Sequence, residues 1–232
     1  MPRIVPALAL LGLVAACDPT GNTNFTSISA TVRVANLVSD APSITVSAGG
    51  ANVASGVTFG TVSGGKLVRT EDQEFITARD NDNFVLGADS VVMTLGRHYT
   101  FYVLGTSGAH VARFALDDTT FGAAGSFKLR FVHGSQTNSV ADLDLYVSAP
   151  ADDISALSPV VPSLGYGAAS PYIPTDTAFR RIRVTLNGQT TTLLDTTLST
   201  AISDSTNVTL VVSDKQGGGT PMRLGVVVDK AP

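Results

Sequence analysis

Val32-Arg33-Val34-Ala35-Asn36 comes back far down the chain as Leu129-Arg130-Phe131-Val132-His133. In the first copy Val32 and Val34 fall on one face and Arg33 on the other. That is the period-2 pattern of a half-buried strand. Further matches keep the same order. Ile44-Thr45-Val46 answers to Leu143-Asp144-Leu145, and Phe59-Gly60 to Leu164-Gly165. Tyr99-Thr100-Phe101-Tyr102-Val103 answers to Val208-Thr209-Leu210-Val211-Val212, and Arg113-Phe114-Ala115-Leu116-Asp117 to Gly225-Val226-Val227-Val228-Asp229. The offset grows along the chain. Insertions in the second copy account for this, one of them the proline-containing stretch from Ser148 to Ser163. Ordered matches of this kind point to one unit of about 100 residues used twice. The first repeat covers residues 30–120 and the second 126–230, with Phe121 to Gly125 as the join.

Strand signals fill both units. Phe75-Ile76-Thr77 and Val91-Val92-Met93-Thr94 are β-branched or apolar and bounded by Gly, Asp and Asn. No segment carries a sustained helical stripe, and a single helical turn is expected near Asp152 to Leu157. Seven or eight short strands per unit predict an all-β chain of two tandem antiparallel β-sandwiches, with an eight-stranded barrel per unit as the other closed solution. The Gly-rich stretches Gly105 to Gly108 and Gly217 to Gly219 read as hairpin tips.

The N-terminus reads as an address. Met1-Pro2-Arg3 carries one positive charge, and an uncharged apolar run then extends from Ile4 to Ala16. A run of that length is too short to span a bilayer, which takes about 20 residues. A basic start, a short apolar run and small residues describe a signal peptide over residues 1–16. Asp18 to Ser29 is polar and aperiodic, so residues 17–29 read as a tether with a reach of about 20 Å.

Composition removes several classes of function. The 232 residues are 44% hydrophobic and 15% charged, with a formal net charge of −4, one cysteine, three histidines and no tryptophan. Such a chain holds a sizeable core, has no basic field for nucleic acid, and has too few cysteines for a disulfide scaffold. No cofactor motif is present. Gly217-Gly218-Gly219-Thr220-Pro221 lacks the lysine of a phosphate loop.

Two resemblances add to this reading. Val14-Ala15-Ala16-Cys17 resembles the lipobox of bacterial lipoproteins, which implies cleavage before Cys17 and lipidation of its thiol and new amine. With roughly three acyl chains at about 0.8 kcal/mol per buried CH₂, such an anchor is effectively permanent. The run from Val32 to Pro42, with its Asp40-Ala41-Pro42 turn, and the later Val57-Thr58-Phe59-Gly60-Thr61-Val62-Ser63-Gly64 are similar to domain-of-unknown-function family 4397. The second copy replaces the turn by Ser139-Val140-Ala141 and carries His133 where the family has a polar His or Asn. The resemblance implies exported bacterial domains with an immunoglobulin-like sandwich, and no activity.

The candidate sites are few. His98, His110 and His133 stand at unrelated positions, with no Gly-x-Ser-x-Gly elbow, so no catalytic residues are assigned and the chain is read as a non-enzyme. Asp80-Asn81-Asp82-Asn83 lacks the ligand and glycine that a calcium loop needs next, and reads as a hairpin turn. Asp117-Asp118 and Asp152-Asp153 read as solvated acidic pairs. No metal site is assigned. Tyr146, Tyr166, Tyr172 and His133 are the residues through which the second copy could hold a ligand, the tyrosines as rings for a glycan. The expected partners are the membrane, through Cys17, and an unidentified protein or glycan of the cell envelope. The expected role is structural, adhesive or protein-binding, with glycan or small-ligand binding as the alternative.

Overall fold

The computed structural model describes residues 29–70, 74–198 and 202–230. Cys17, the signal segment and the tether before Ser29 lie outside the described residues. Sixteen strands follow one another: β1 (Ser29–Val38), β2 (Ser43–Ala48), β3 (Ala51–Thr58), β4 (Lys66–Arg69), β5 (Glu74–Arg79), β6 (Val85–Val91), β7 (His98–Thr106), β8 (Ala109–Asp117), β9 (Ser126–Gly134), β10 (Leu143–Ser148), β11 (Val161–Leu164), β12 (Ile173–Asp176), β13 (Arg181–Leu186), β14 (Thr192–Thr197), β15 (Asn207–Ser213) and β16 (Arg223–Lys230). They form four sheets, ordered β4-β1-β7-β8, β3-β2-β5-β6, β12-β9-β15-β16 and β11-β10-β13-β14. The last two orders are the first two with eight added to every strand.

Each half is a β-sandwich rather than a barrel. In β1, Ala30, Val32 and Val34 point inward and meet Ile44 and Val46 of β2 and Phe101 and Val103 of β7. In the other half Leu129, Phe131, Leu143, Leu145, Ile182, Val184 and Leu210 do the same. Each such side chain contributes roughly 1.5–3 kcal/mol on burial. Pairing departs from the antiparallel expectation at one place in each half, where β1 runs parallel to β7 and β9 parallel to β15. Strand β6 ends at Val91, so the predicted strand through Thr94 is a loop. A short 3₁₀ turn covers Ile154–Ala156, its start held by the Asp153 side chain accepting from Ser155 N–H.

Asp80 closes the β5–β6 hairpin. Its Oδ1 accepts the amides of Asp82 and Phe84 at 3.0 and 2.9 Å. The side chain thus mimics a backbone turn.

The largest departure from the sequence reading is the second face of β1. It does not face water. A third apolar cluster joins Ala35, Leu37, Tyr102 and Leu104 of one sandwich to Val132 and Val211 of the other. The sheet β4-β1-β7-β8 therefore packs on β12-β9-β15-β16, giving four stacked layers with these two as inner sheets. β1 and β9 run in the same direction across this seam. Midway along them Arg33 meets Asp229 and Arg130 meets Asp117. Beyond their ends Ser39 O accepts from Gly217 N–H at 2.8 Å. The halves thus meet along whole sheet faces and not merely at the Gly122 to Gly125 join.

Candidate functional site

The alternation that carries Val32 and Val34 into one core carries Arg33 into the seam, and Arg130 follows from Leu129 and Phe131 in the same way. Asp117 at the end of β8 and Asp229 on β16 complete a ring of four charges. Arg33 Nη2 lies 2.8 Å from Asp117 Oδ2 and 2.7 Å from Asp229 Oδ1. Arg130 Nη2 lies 2.7 Å from Asp117 Oδ1 and 3.9 Å from Asp229 Oδ1. Each guanidinium also donates to the edge strand of the opposite sandwich, Arg33 to Val228 O at 3.3 Å and Arg130 to Leu116 O at 3.0 Å. The Thr100 hydroxyl donates to Asp117 and the Thr209 hydroxyl to Asp229. The arrangement is close to two-fold.

It is not quite symmetric. Arg130 also donates to the Tyr102 hydroxyl at 3.0 Å, where the other half has Val211. Its guanidinium sits 4.6 Å from the centre of the Tyr172 ring, a cation–π contact, and the Tyr172 hydroxyl donates to Asp229 Oδ2 at 2.8 Å. Arg130 is only 2% exposed, against 16% for Arg33. Burial alone would lower both arginines' pKa. In Arg33 the carboxylates of Asp117 and Asp229 outweigh it, and both groups are held firmly protonated. Burial pushes the Tyr172 and Tyr102 hydroxyls upward.

Beside this ring a cleft of about 540 Å³ opens between β8 and the 166–172 loop. Arg113 and Leu116 line one side, Tyr166, Pro171 and Tyr172 the other, with Arg130 at its back. Its twin lies at the two-fold position, between β16 and the 60–63 loop, with Arg33 at the back and a volume of about 310 Å³. Backbone bonds fix the equivalence of the two loops. Gly60 N–H donates to Asn36 O and Gly167 N–H to His133 O, both at 2.8 Å. Ser63 N–H donates to Val34 O and Ser170 N–H to Phe131 O, again both at 2.8 Å. Gly60 thus corresponds to Gly167 and Phe59 to Tyr166, which corrects the match to Leu164-Gly165. On the same register Tyr172 corresponds to Gly65, where a Cβ would stand 2.7 Å from Thr31 Cγ2. A side chain cannot enter there without a shift.

The residues singled out in the sequence fare differently. Tyr166 and Tyr172 share the cleft. The Tyr166 hydroxyl turns away from it, buried without a partner among the described residues, near Gly105, where a Cβ would come within 2.8 Å. Gly105 has φ +103, a left-handed conformation that glycine accepts. Burial pushes the Tyr166 hydroxyl up to about 12. Tyr146 is not available: it is 5% exposed, and the loop around Asp152 covers its face of the sheet, held by Arg183 Nη1 donating to Asp152 O.

His133 is not available either. It is fully buried, its Nδ1 accepts from Ser135 N–H at 3.3 Å and its Nε2 lies 3.3 Å from Ala141 O. An amide can only donate, so Nδ1 is bare and Nε2 carries the proton: the ring is neutral. Burial lowers its pKa, and the edge of its ring meets Tyr166 at 5.5 Å. Asn36 does the same work in the first half, accepting from Val38 N–H and donating to Ala41 O.

The sequence reading missed Arg33, Arg130 and Asp229 altogether and took Asp117 for a solvated acid. The signal was present in the repeat itself, which places an arginine and a closing aspartate at the same positions twice. Among the described residues, no three His, Cys, Asp or Glu side chains converge as metal ligands would.

A family model described as a domain of unknown function, DUF4397, matches residues 30–146, all of the first sandwich and the second as far as β10. The chain belongs to the DUF4397 family. No curated protein matches it in sequence. Among solved structures this DUF4397 chain is similar to CBMbc, of family CBM26, from Eubacterium rectale Amy13K, in complex with maltoheptaose. The identity is 12% and the TM-score 0.26, over 88% of this chain and 98% of that one. A likeness at that score carries no argument about ligand or fold.

Proposed function

We propose that this protein is a lipid-anchored, non-catalytic component of the bacterial cell envelope, built by duplication of one sandwich unit and serving a structural, adhesive or protein-binding role. The observation that carries this reading is the charge ring at the seam. Its two arginines and two aspartates satisfy one another, bury almost completely, and lock the sandwiches face to face. This charge network is thus used to hold the two halves together. A rigid body on a tether of about 20 Å suits contact with a partner beyond the lipid surface. Duplication is supported by the shared strand order and the paired backbone bonds. Lipid anchoring is supported by Cys17 at the end of the short apolar run. Mass spectrometry of the membrane fraction should give a first residue of Cys17 carrying acyl mass, and Cys17→Ser should release the protein. A soluble product cut elsewhere would overturn the anchoring, and hydrolysis of ester, glycoside or peptide substrates by the purified chain would overturn the non-catalytic role.

The cleft favours a second reading, a glycan or small-ligand site in the second half. Its volume lies within the range of about 300–1,000 Å³ usual for such sites, and two tyrosines face it. Calorimetric titration with neutral and acidic sugars tests it, and silence with all of them would remove it.

A further inference from the structure

The two clefts differ at the positions that decide what each could hold. β8 and β16 occupy equivalent places, since Thr100 pairs with Ala115 and Thr209 with Val227. Arg113 therefore stands where the twin has Gly225. Tyr172 stands where the twin has Gly65. One cleft has gained a cation and a ring, and the other has neither.

Among the described residues, Arg113 is also the cation of this region with no carboxylate in an ion pair with it. Arg33 and Arg130 are neutralised by Asp117 and Asp229. Arg113 is exposed, and among the described residues its side chain donates from Nη1 to the carbonyl of its neighbour Ala112, at 2.8 Å. Its side chain lies along Gly167, 3.8 Å from where a Cβ would be, which sets it at the cleft wall. Among the described residues no Asp or Glu lines the cleft, and most of the remaining wall is apolar, from Leu116, Pro171 and the tyrosine rings. An unneutralised planar fork of donors beside apolar walls matches a carboxylate on a flat body.

We infer that the cleft between β8 and the 166–172 loop binds a carboxylate-bearing ligand of one or two rings, with Arg113 gripping the carboxylate and Leu116, Pro171 and Tyr172 receiving the body. The inference rests on the second reading above, that this cleft is a ligand site, and adds the ligand's charge. An aromatic acid and a uronate sugar share this chemistry.

The test titrates the full chain in detergent with four probes. These are 2-naphthoate, the uncharged 2-naphthalenemethanol, digalacturonate and maltose. Binding of 2-naphthoate, digalacturonate or both is expected, and the tighter of the two identifies the source as an aromatic acid or an acidic sugar. Arg113→Gly, which installs the twin's residue, should weaken it by about tenfold or more. Arg113→Lys, which keeps the charge without the fork, should fall between. Arg97→Gly removes an exposed arginine outside the cleft and should change nothing. Equal affinity for 2-naphthoate and 2-naphthalenemethanol would overturn the inference, as would carboxylate binding indifferent to Arg113→Gly. Maltose binding without carboxylate binding would overturn it while leaving the cleft as a ligand site. Silence with all four probes to ~10 mM, an affinity weaker than about −3 kcal/mol, would overturn both.

Discussion

The two halves of the seam share their charges and differ in their clefts. Arg33 and Arg130, Asp117 and Asp229, Thr100 and Thr209 occupy equivalent places and make like bonds, save that Arg33 bonds Asp117 at 2.8 Å while Arg130 stands 3.9 Å from Asp229. Around them the twins diverge: Tyr102 against Val211, Tyr172 against Gly65, Arg113 against Gly225. The shared residues are those that cross the seam, where each half needs the other's partner. The divergent ones surround one arginine, Arg130, and the cleft in front of it. Holding the sandwiches together is a two-fold problem and has a two-fold solution. Shaping a cleft is a one-sided matter: the twin beside the 60–63 loop is smaller, and at Gly65 a side chain like Tyr172 would meet Thr31.

The comparison breaks most visibly at the arginines. Removing one partner of a buried ion pair costs about 3–5 kcal/mol, because the other charge stays buried and unpaired. Arg130→Ala leaves Asp117 with Arg33 alone, strips Tyr102 and Tyr172 of their cation, and frees Leu116 O. Arg33→Ala removes a side chain that water partly reaches. Urea unfolding should therefore rank Arg130→Ala well above Arg33→Ala, with the first near that full cost. Equal losses would mean that the two-fold ring, and not its asymmetric surroundings, sets the energy. A chain unfolding in two separated steps after Arg130→Ala would show that the seam alone couples the sandwiches.

Much of this was legible in the chain, and the boundary of legibility is physical. Strand identity was readable because alternation is local: Val32 and Val34 could not both be inward without Arg33 facing the other way. What covers Arg33 was not readable, because an arginine facing water and one facing a carboxylate of another sandwich give the same alternation. Asp229 lies nearly two hundred residues from Arg33, and no short-range pattern encodes that meeting. His133 was read as a ligand candidate because a strand-end histidine has the same spacing whether exposed or tied to Ser135 and Ala141. Tyr146 was lost to an inserted loop whose path over the sheet is set by Arg183, a long-range contact again. Tyr166 and Tyr172 were placed correctly in one loop, although the match that aligned that loop was two residues out.

Smaller changes sharpen the asymmetry. Tyr172→Phe keeps the ring under Arg130 and removes the bond to Asp229. Tyr102→Phe keeps the packing and removes the bond from Arg130. Hydrogen bonds to charged groups contribute about 1.5–3 kcal/mol, so each variant should lose roughly 1.5 kcal/mol in urea unfolding. Both act on the same ring through Arg130, and the double variant should depart from additivity by about 0.5 kcal/mol or more. Strict additivity would mean that the tyrosines act independently and that Arg130 does not link them.

The smallest effect at neutral pH, and the most selective, is His133→Asn. It gives the second half the residue that the first half uses at the same place. Asn36 shows that an amide can accept from the residue two positions on and donate to the turn that follows, so stability at pH 7.5 should change by less than about 1.5 kcal/mol. The difference appears in acid. Neutral His133 accepts from Ser135 N–H, and protonation would set two donors against each other. Burial lowers its pKa below the unfolded value of about 6.5, although Ala141 O and the carboxylates of Asp142 and Asp214 favour the proton. The unfolded chain therefore takes up a proton at that position before the folded one does. Stability should fall as the pH drops below about 6.5, and should stop falling on this account once the folded group protonates. Asp118 and Asp144, whose pKa values are lowered in the fold by Lys128 and by backbone amides, lose their contribution only below the ordinary carboxylate range. The two windows are separate. Unfolding midpoints measured from pH 7.5 to 5 should slope downward in the parent chain and run flatter in His133→Asn. An identical slope in both would show that some other group supplies the acid sensitivity and that His133 and Asn36 are not interchangeable parts of the two halves.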